Sequence, residues 1–313
     1  MKTVAITGGM GFIGHHLANY FLEKKWAVKI IDDLSLHRDP YLTKYRLESI
    51  QNKKCEFINL SCQYEYELKN KLKDNDGIDV IVHLASIPNQ KAAMEMPQVA
   101  VSSIVSGTLA AAMLSKSLHC KFVHISSSMA YGNFTCFPQK EDAVLKPMNL
   151  YGTLKAQSED IVKLISDNYI IVRPSAVYGP GDSSDRVLAK WISLALENQD
   201  FIVNDPSALL DFTHVTDLVK GIFAVATSTH DRNETYNITR GQARSLGEAA
   251  LLVKELTNSK SKIIYNDAES DQPHRGSLDI SKAQKHFNYQ PRVDINDGIR
   301  SYINWMKMYK NVD

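Results

Sequence analysis

Tyr151 and Lys155 stand four residues apart in the run Tyr151-Gly152-Thr153-Leu154-Lys155, which on a helix puts a phenol and an ammonium on one face. A free phenol ionises near ~10, too high for an efficient base at neutral pH. A neighbouring Lys cation favours the phenolate and lowers that value. The spacing therefore predicts a general base tuned by its lysine. Upstream, Ile125-Ser126-Ser127-Ser128-Met129-Ala130-Tyr131-Gly132 ends an apolar run in serines, where a hydroxyl from Ser127 or Ser128 can hold a substrate oxygen. A Tyr-x-x-x-Lys spacing alone recurs by chance, and its weight comes from what precedes it in the chain.

What precedes it is a glycine turn. Thr7-Gly8-Gly9-Met10-Gly11-Phe12-Ile13-Gly14 sets glycines at 8, 11 and 14, directly after a short apolar run and at the start of a helical pattern. Strand, glycine turn and helix N-terminus together expose bare backbone and unpaired N–H groups to a pyrophosphate. The second apolar run ends at Asp32, 18 residues after Gly14. A carboxylate there accepts hydrogen bonds from ribose hydroxyls and repels a 2′-phosphate. With no arginine beyond it until Arg38, the pattern favours NAD over NADP. The alternative is that Asp32 or Asp33 only caps a turn.

These residues need elements to hold them. Short runs at Val4–Thr7, Val28–Ile31, Val80–Leu84, Phe122–Ile125 and Ile170–Val172 alternate with helical spacing over Ile13–Lys24, Met94–Ser115 and Leu150–Ile165. Apolar strands of this length, buried on both faces, predict a doubly wound parallel α/β sheet. Past Arg173-Pro174 the alternation loosens: a Gly179-Pro180-Gly181-Asp182 loop precedes helical runs at Val187–Glu197 and, after a strand or turn from Asp211, to Ala226, with a last helix near Ile295–Tyr309. The expected organisation is a Rossmann domain over 1–174 with a returning segment at 209–230, interleaved with a smaller C-terminal α/β substrate-binding region that fills most of 175–313.

Composition narrows the partners. Across 313 residues, 36 Lys+Arg against 35 Asp+Glu leave a net charge of +1, without the basic excess that a phosphate backbone requires. Nucleic acid is excluded as the expected partner, and 44% hydrophobic residues suffice for a full core. The start of the chain lacks a signal-peptide pattern, and no run approaches the ~18 to 20 continuous apolar residues of a membrane span. Cys55, Cys62, Cys120 and Cys136 show no Cys-x-x-Cys spacing, so the expectation is a cytoplasmic protein with reduced thiols and no metal site.

In sum these motifs resemble the extended short-chain dehydrogenase/reductases, and among them the nucleotide-sugar epimerase/dehydratase family. The resemblance is carried by TGGMGFIG (7–14), HLAS (83–86), SSSMAYG (126–132), YGTLK (151–155), RPSAVYGPG (173–181), DFTHVTDLV (211–219) and LDISKA (278–283). It implies Tyr151 as the base that takes the sugar hydroxyl proton, Ser127 as the catalytic hydroxyl with Ser128 as its substrate-side neighbour, and Lys155 as the group that holds the nicotinamide ribose and lowers the Tyr151 pKa. It also implies NAD contacts from Gly8, Gly11, Phe12, Ile13, Gly14, Asp32, Asn59, Leu60, Leu84, Ala85, Tyr151 and Lys155. The helices over Met94–Ser115 and Leu150–Ile165 would pair across a two-fold axis in a homodimer.

Departures from the family pattern refine the expected reaction. Dehydratases and decarboxylases carry an acidic residue after the catalytic hydroxyl, whereas Met129 and Ala130 follow Ser128 here. The implied activity is thus NAD-dependent epimerisation at C4 of a nucleotide-diphosphate sugar through a transient 4-keto sugar. A 4-ketoreductase or 4-dehydrogenase is the nearest alternative; a 4,6-dehydratase and a non-catalytic dinucleotide sensor are more remote. Ala176 and Leu210 stand where the family often has Asn and Arg to hold the substrate's diphosphate, which leaves Arg186 and Arg275 as the candidates for that task.

Overall fold

A computed structural model describes the whole chain except residues 38, 51–53, 74–76, 230–231, 268–272 and 311–313. Its centre is a parallel sheet. The first six strands are β1 (Thr3–Thr7), β2 (Ala27–Ile31), β3 (Cys55–Ile58), β4 (Val80–His83), β5 (Lys121–Ile125) and β6 (Tyr169–Arg173). A seventh, Glu234–Asn237, pairs with β6, and the order across the sheet is Glu234–Asn237, β6, β5, β4, β1, β2, β3. Strands β1, β4 and β5 are buried at every position, as a sheet covered by helices on both faces demands. The direction of winding reverses between β4 and β1, which opens a crevice at the carboxyl ends of those strands.

Five of the seven strands coincide with the apolar runs of the sequence. The two edge strands do not announce themselves. Cys55–Ile58 has two exposed positions and Glu234–Asn237 begins at an exposed Glu, because an edge strand is covered less than a central one. The chain that returns to the sheet therefore extends past residue 230. Its helix Val215–Thr227 lies against the Phe12–Glu23 helix, where Phe223 meets Phe21 edge-to-face at 4.9 Å between ring centroids. On the other face, Ile81, Phe122, Leu68, Leu114 and Val162 form a second core. A third core, with Trp191, Phe201, Tyr302 and Trp305, belongs to the C-terminal half.

The Met94–Ser115 pattern does not form one helix. It is divided into Gln90–Glu95, Pro97–Val101, a π turn over Ser102–Ser106 and Gly107–Ser117. Pro97 supplies no N–H to continue the first segment, so Met96 leaves helical geometry (φ −134°, ψ 65°) and Pro97 begins the next. By length and composition Pro97–Ser117 could cross a bilayer, with mean hydropathy 1.4 over its most apolar window, although serines break its apolar run; 44% of that window is buried inside the protein. Leu150–Ile165, by contrast, is one helix with the boundaries its spacing predicts.

Candidate functional site

The crevice between β1 and β4 is shaped by the glycine turn. Gly8 has φ +68°, and a Cβ there would lie 2.6 Å from the Ala85 nitrogen. A Cβ on Gly14 would run into the Gly8 carbonyl oxygen and the Gly9 backbone, so Gly14 sets how closely the helix approaches the turn. Beyond the turn lies a cavity of about 430 Å³, lined by Gly8, Gly11, Phe12, Asp32, Leu84 and Ala85 among others. Leu60 also borders it, whereas Asn59 lines an adjoining, more open depression that shares Leu60 and Ser61 with it. Ile13 and Gly14 do not border the cavity: Ile13 packs against the core and Gly14 lies under the turn.

Asp32 does more than face that cavity. Its Oδ2 accepts the Met10 N–H at 3.0 Å and its Oδ1 accepts the Leu34 N–H at 2.9 Å, with His37 Nε2 3.4 Å from Oδ1. The carboxylate thus braces the glycine turn. Asp33, next to it, accepts from the backbone and hydroxyl of Ser35 and caps the following turn. Arg38, the first arginine after Asp32, lies outside the described residues.

Three elements converge on Tyr151, Lys155 and Ser127. Asn149 caps the Leu150–Ile165 helix through its Oδ1, which accepts the Gly152 N–H at 2.9 Å. That helix carries half-buried Tyr151 and buried Lys155, whose Nζ lies 5.8 Å from the Tyr151 ring centroid. Ser127, just after β5, caps the short 3₁₀ turn Ser128–Tyr131 by accepting the Met129 N–H at 3.1 Å, and it lies close enough to Tyr151 to act on its ionisation. Ser128 is buried, 1% exposed, and its backbone N–H donates to the Pro174 carbonyl at 2.9 Å. Of the two serines, the structure brings Ser127 to the phenol.

The electrostatics correct one expectation. Burial raises the Tyr151 pKa above the ordinary tyrosine value, and the influences that oppose it are the Arg186 charge and the nearby Ser127 hydroxyl. Lys155 is not among those influences, and its ammonium donates to the Ile125 carbonyl at 3.0 Å. Burial pushes Lys155 itself down to about 8, against the pull of the Glu159 carboxylate. None of Tyr151, Lys155 and Ser127 lines the 430 Å³ cavity. The link is Ile87, which lies between Ser86 and Pro88 of the cavity wall and packs in the same cluster as Tyr151.

Comparison with known proteins agrees with this arrangement. The sequence model of the NAD dependent epimerase/dehydratase family matches residues 4–239. The chain belongs to that family. A putative UDP-glucose 4-epimerase of Methanocaldococcus jannaschii is 29% identical over 97% of this chain and 98% of its own length. A UDP-N-acetyl-alpha-D-glucosaminuronate decarboxylase of Bacillus cytotoxicus is also 29% identical, over 99% of both chains. Among solved structures, UDP-glucuronic acid 4-epimerase from Bacillus cereus, in complex with UDP-glucuronic acid and NAD, superposes with a TM-score of 0.91 at 26% identity, covering 98% of this chain and 99% of that one.

In this epimerase/dehydratase family member Arg186 lies within electrostatic reach of Tyr151, and Arg275 within reach of Arg186. Arg186 precedes the Val187–Leu196 helix, with its Nε 4.0 Å from Asp182 Oδ2. Arg275 is held between backbone pairs Phe134 N–H to His274 O and Gln139 N–H to Ser277 O, so the segment that follows the serine run fixes its position. Its Nε is buried without a hydrogen-bond partner among the described residues, and burial together with the Arg186 charge pushes its pKa down to about 10. Ala176 sits at φ +35°, a left-handed conformation that Asn adopts more readily than Ala. Leu210 is paired across an antiparallel bridge with Arg244, which is exposed.

Several contributors escape a reading of the sequence. Arg46 lines the cavity and donates to the Gly181 carbonyl at 2.9 Å and the Met10 carbonyl at 3.4 Å, which ties the Gly-Pro-Gly loop to the glycine turn. His16 does the same through Pro180 O at 2.7 Å. His83 bridges the Thr7 and Thr108 hydroxyls beneath the crevice. Glu159 extends the Tyr151–Lys155 spacing by four more residues, and that periodicity is the one signal that could have exposed it.

Proposed function

We propose that this protein is an NAD-dependent 4-epimerase of nucleotide-diphosphate hexoses or hexuronates. The observation that carries the reading is the approach of Ser127 to the Tyr151 phenol near the glycine-lined cavity, with Met129 and Ala130 where an elimination would need a further acid. The glycine cradle fits NAD, since a Cβ at Gly8 would run into the Ala85 backbone at the cavity wall and one at Gly14 would push the helix off the turn. NAD, when bound, supplies a hydride acceptor that returns the hydride in the same cycle.

The chain's own residues handle the protons and the charge. Tyr151 takes the proton of the sugar C4 hydroxyl and gives it back, while Ser127 holds the same oxygen through both steps. Buried Lys155, one helical turn from the phenol, is placed to hold the nicotinamide ribose with its ammonium. Arg275 and Arg186 supply the cationic partners for the diphosphate; the unpartnered Arg275 Nε supports that role, because a buried guanidinium donor left unpaired is costly. Return of the hydride to the opposite face of a 4-keto sugar gives the C4 epimer. The UDP-glucuronic acid bound to the Bacillus cereus enzyme supports a uridine-diphosphate hexuronate as the first substrate to try.

The protein incubated with UDP-glucuronate and UDP-glucose, without added cofactor, is expected to form the C4 epimer, read by NMR. Stoichiometric accumulation of NADH would overturn the reading in favour of a dehydrogenase, and release of carbon dioxide in favour of a decarboxylase. We also infer a homodimer built on the Gly107–Ser117 and Leu150–Ile165 helices, supported by exposed Leu109, Met113 and Leu164. A sedimentation mass near 35.2 kDa would rule it out.

A further inference from the structure

Glu159 follows Lys155 by one turn on the Leu150–Ile165 helix and has no exposure to solvent. A carboxylate in that position must replace its lost hydration with close, well-aligned donors. It has three. Arg173 Nε reaches Oε1 at 2.8 Å, Arg173 Nη2 reaches Oε2 at 2.6 Å, and Ser126 Oγ donates to Oε1 at 2.6 Å. Arg173, the last residue of β6, is itself fixed, with its guanidinium carbon 4.6 Å from the Tyr131 ring centroid and its Nη1 donating to the Glu141 carbonyl at 2.9 Å. Ser126 directly precedes Ser127 and donates its N–H to the Val172 carbonyl at 2.8 Å.

We propose that Glu159, clamped between Arg173 and Ser126, is a positioning residue of the Tyr151–Lys155–Ser127 centre. Its carboxylate ties the strand end that carries Ser127 to the helix that carries the phenol and the ammonium. Packing alone would not call for charge here, since apolar residues of similar volume hold a helix to a sheet as well or better. The charge has an object in Lys155. The groups around that ammonium are Tyr151 and Glu159 on its own helix, His83 on β4, His124 on β5 and the Ile125 carbonyl, with Arg173 of β6 beyond Glu159. Burial and the Lys155 charge hold both histidines neutral, with His83 pushed down to about 3. Glu159 is the neighbour whose charge opposes the effect of burial on Lys155.

The proposal rests on the reading of Tyr151, Lys155 and Ser127 as the reacting centre, and its test separates the two. Glu159→Gln keeps the size and removes the charge. Ser126→Ala keeps the charge and removes the tie. The pair Glu159→Leu with Arg173→Met removes both charges and leaves no orphaned ion, which guards against a variant that fails to fold. The Cε carbon of Lys155, in protein labelled with [¹³C]lysine and assigned with Lys155→Arg, is followed by NMR against pH, and sugar turnover is measured beside it. In the two Glu159 variants the Lys155 midpoint is expected to fall by about half a pH unit or more, and the alkaline limb of turnover with it. Ser126→Ala is expected to lower turnover about tenfold at every pH, as a displaced hydroxyl does, with the midpoint unmoved. An unchanged midpoint in the folded double variant, or full turnover in Ser126→Ala, would overturn the proposal. The NMR midpoint needs no sugar, so a wild-type protein that epimerises nothing defeats the functional reading and leaves this one to be judged by itself.

Discussion

Tyr151 is buried enough that its phenol resists ionisation, yet its proposed task requires it to lose a proton. Arg186 and Ser127 work against burial, and Lys155 keeps a charge nearby only while it remains protonated. One limb follows. Turnover is expected to hold through neutral pH and then to fall as Lys155 loses its proton around pH 8, since its pKa is pushed down to about 8. A plateau that runs flat past pH 10 would contradict the assignment of Lys155. Tyr151→Phe keeps the ring and loses the proton carrier, so turnover is expected to drop by roughly 10²- to 10⁴-fold, the usual worth of general acid–base catalysis, with sugar binding retained in calorimetry. Ala176 belongs to the same scale. Its φ of +35° strains a residue with a Cβ, and Ala176→Asn is expected to raise stability by up to about 1 kcal/mol in denaturant melts.

At the scale of elements, a strand, a turn and a helix converge on one point, and Gly14 is the contact through which the helix reaches the turn. A methyl group on Gly14 meets backbone on both sides, at Gly8 and Gly9, and neither can swing aside. Gly14→Ala is therefore expected to weaken NAD binding by at least about tenfold and to destabilise the fold by roughly 1–3 kcal/mol, the cost of overpacking, as titration calorimetry and thermal melts will read. The glycine spacing made this turn legible in the sequence, and full burial of β1, β4 and β5 made those strands legible as apolar runs. The edge strands Cys55–Ile58 and Glu234–Asn237 escaped because partial exposure allows Glu, Thr and Asn in them. Pro97 was visible, but the apolar pattern on either side of it overrode the break it imposes. In the site, the Tyr151–Lys155 spacing implied one helix, and the structure has both on Leu150–Ile165. The Arg46 contacts to Gly181 and Met10 were not legible, because they join residues 135 and 36 positions apart and only the fold brings those together.

At the scale of the whole molecule, the net charge of +1 fits a protein that holds the doubly charged pyrophosphate of its cofactor without a basic surface. The cradle uses backbone N–H groups and a helix N-terminus, and its nearest carboxylate, Asp32, faces inward and grips Met10 and Leu34. Negative charge at that point excludes a 2′-phosphate, so NAD and NADP should differ in what they do to the folded state. A ligand that binds only the native protein stabilises it by about 2.7 kcal/mol at one hundred times its dissociation constant. NAD at that level is expected to raise the melting temperature by several degrees, and NADP at the same concentration by much less. Because the cradle is built on backbone dipoles and not on surface lysines, NAD binding should weaken only slightly between 50 and 500 mM salt, the range over which exposed charge pairs are largely screened. Equal stabilisation by the two cofactors would show that Asp32 serves the glycine turn alone, and a steep loss of NAD binding with salt would place the anion among side chains instead of on the helix terminus.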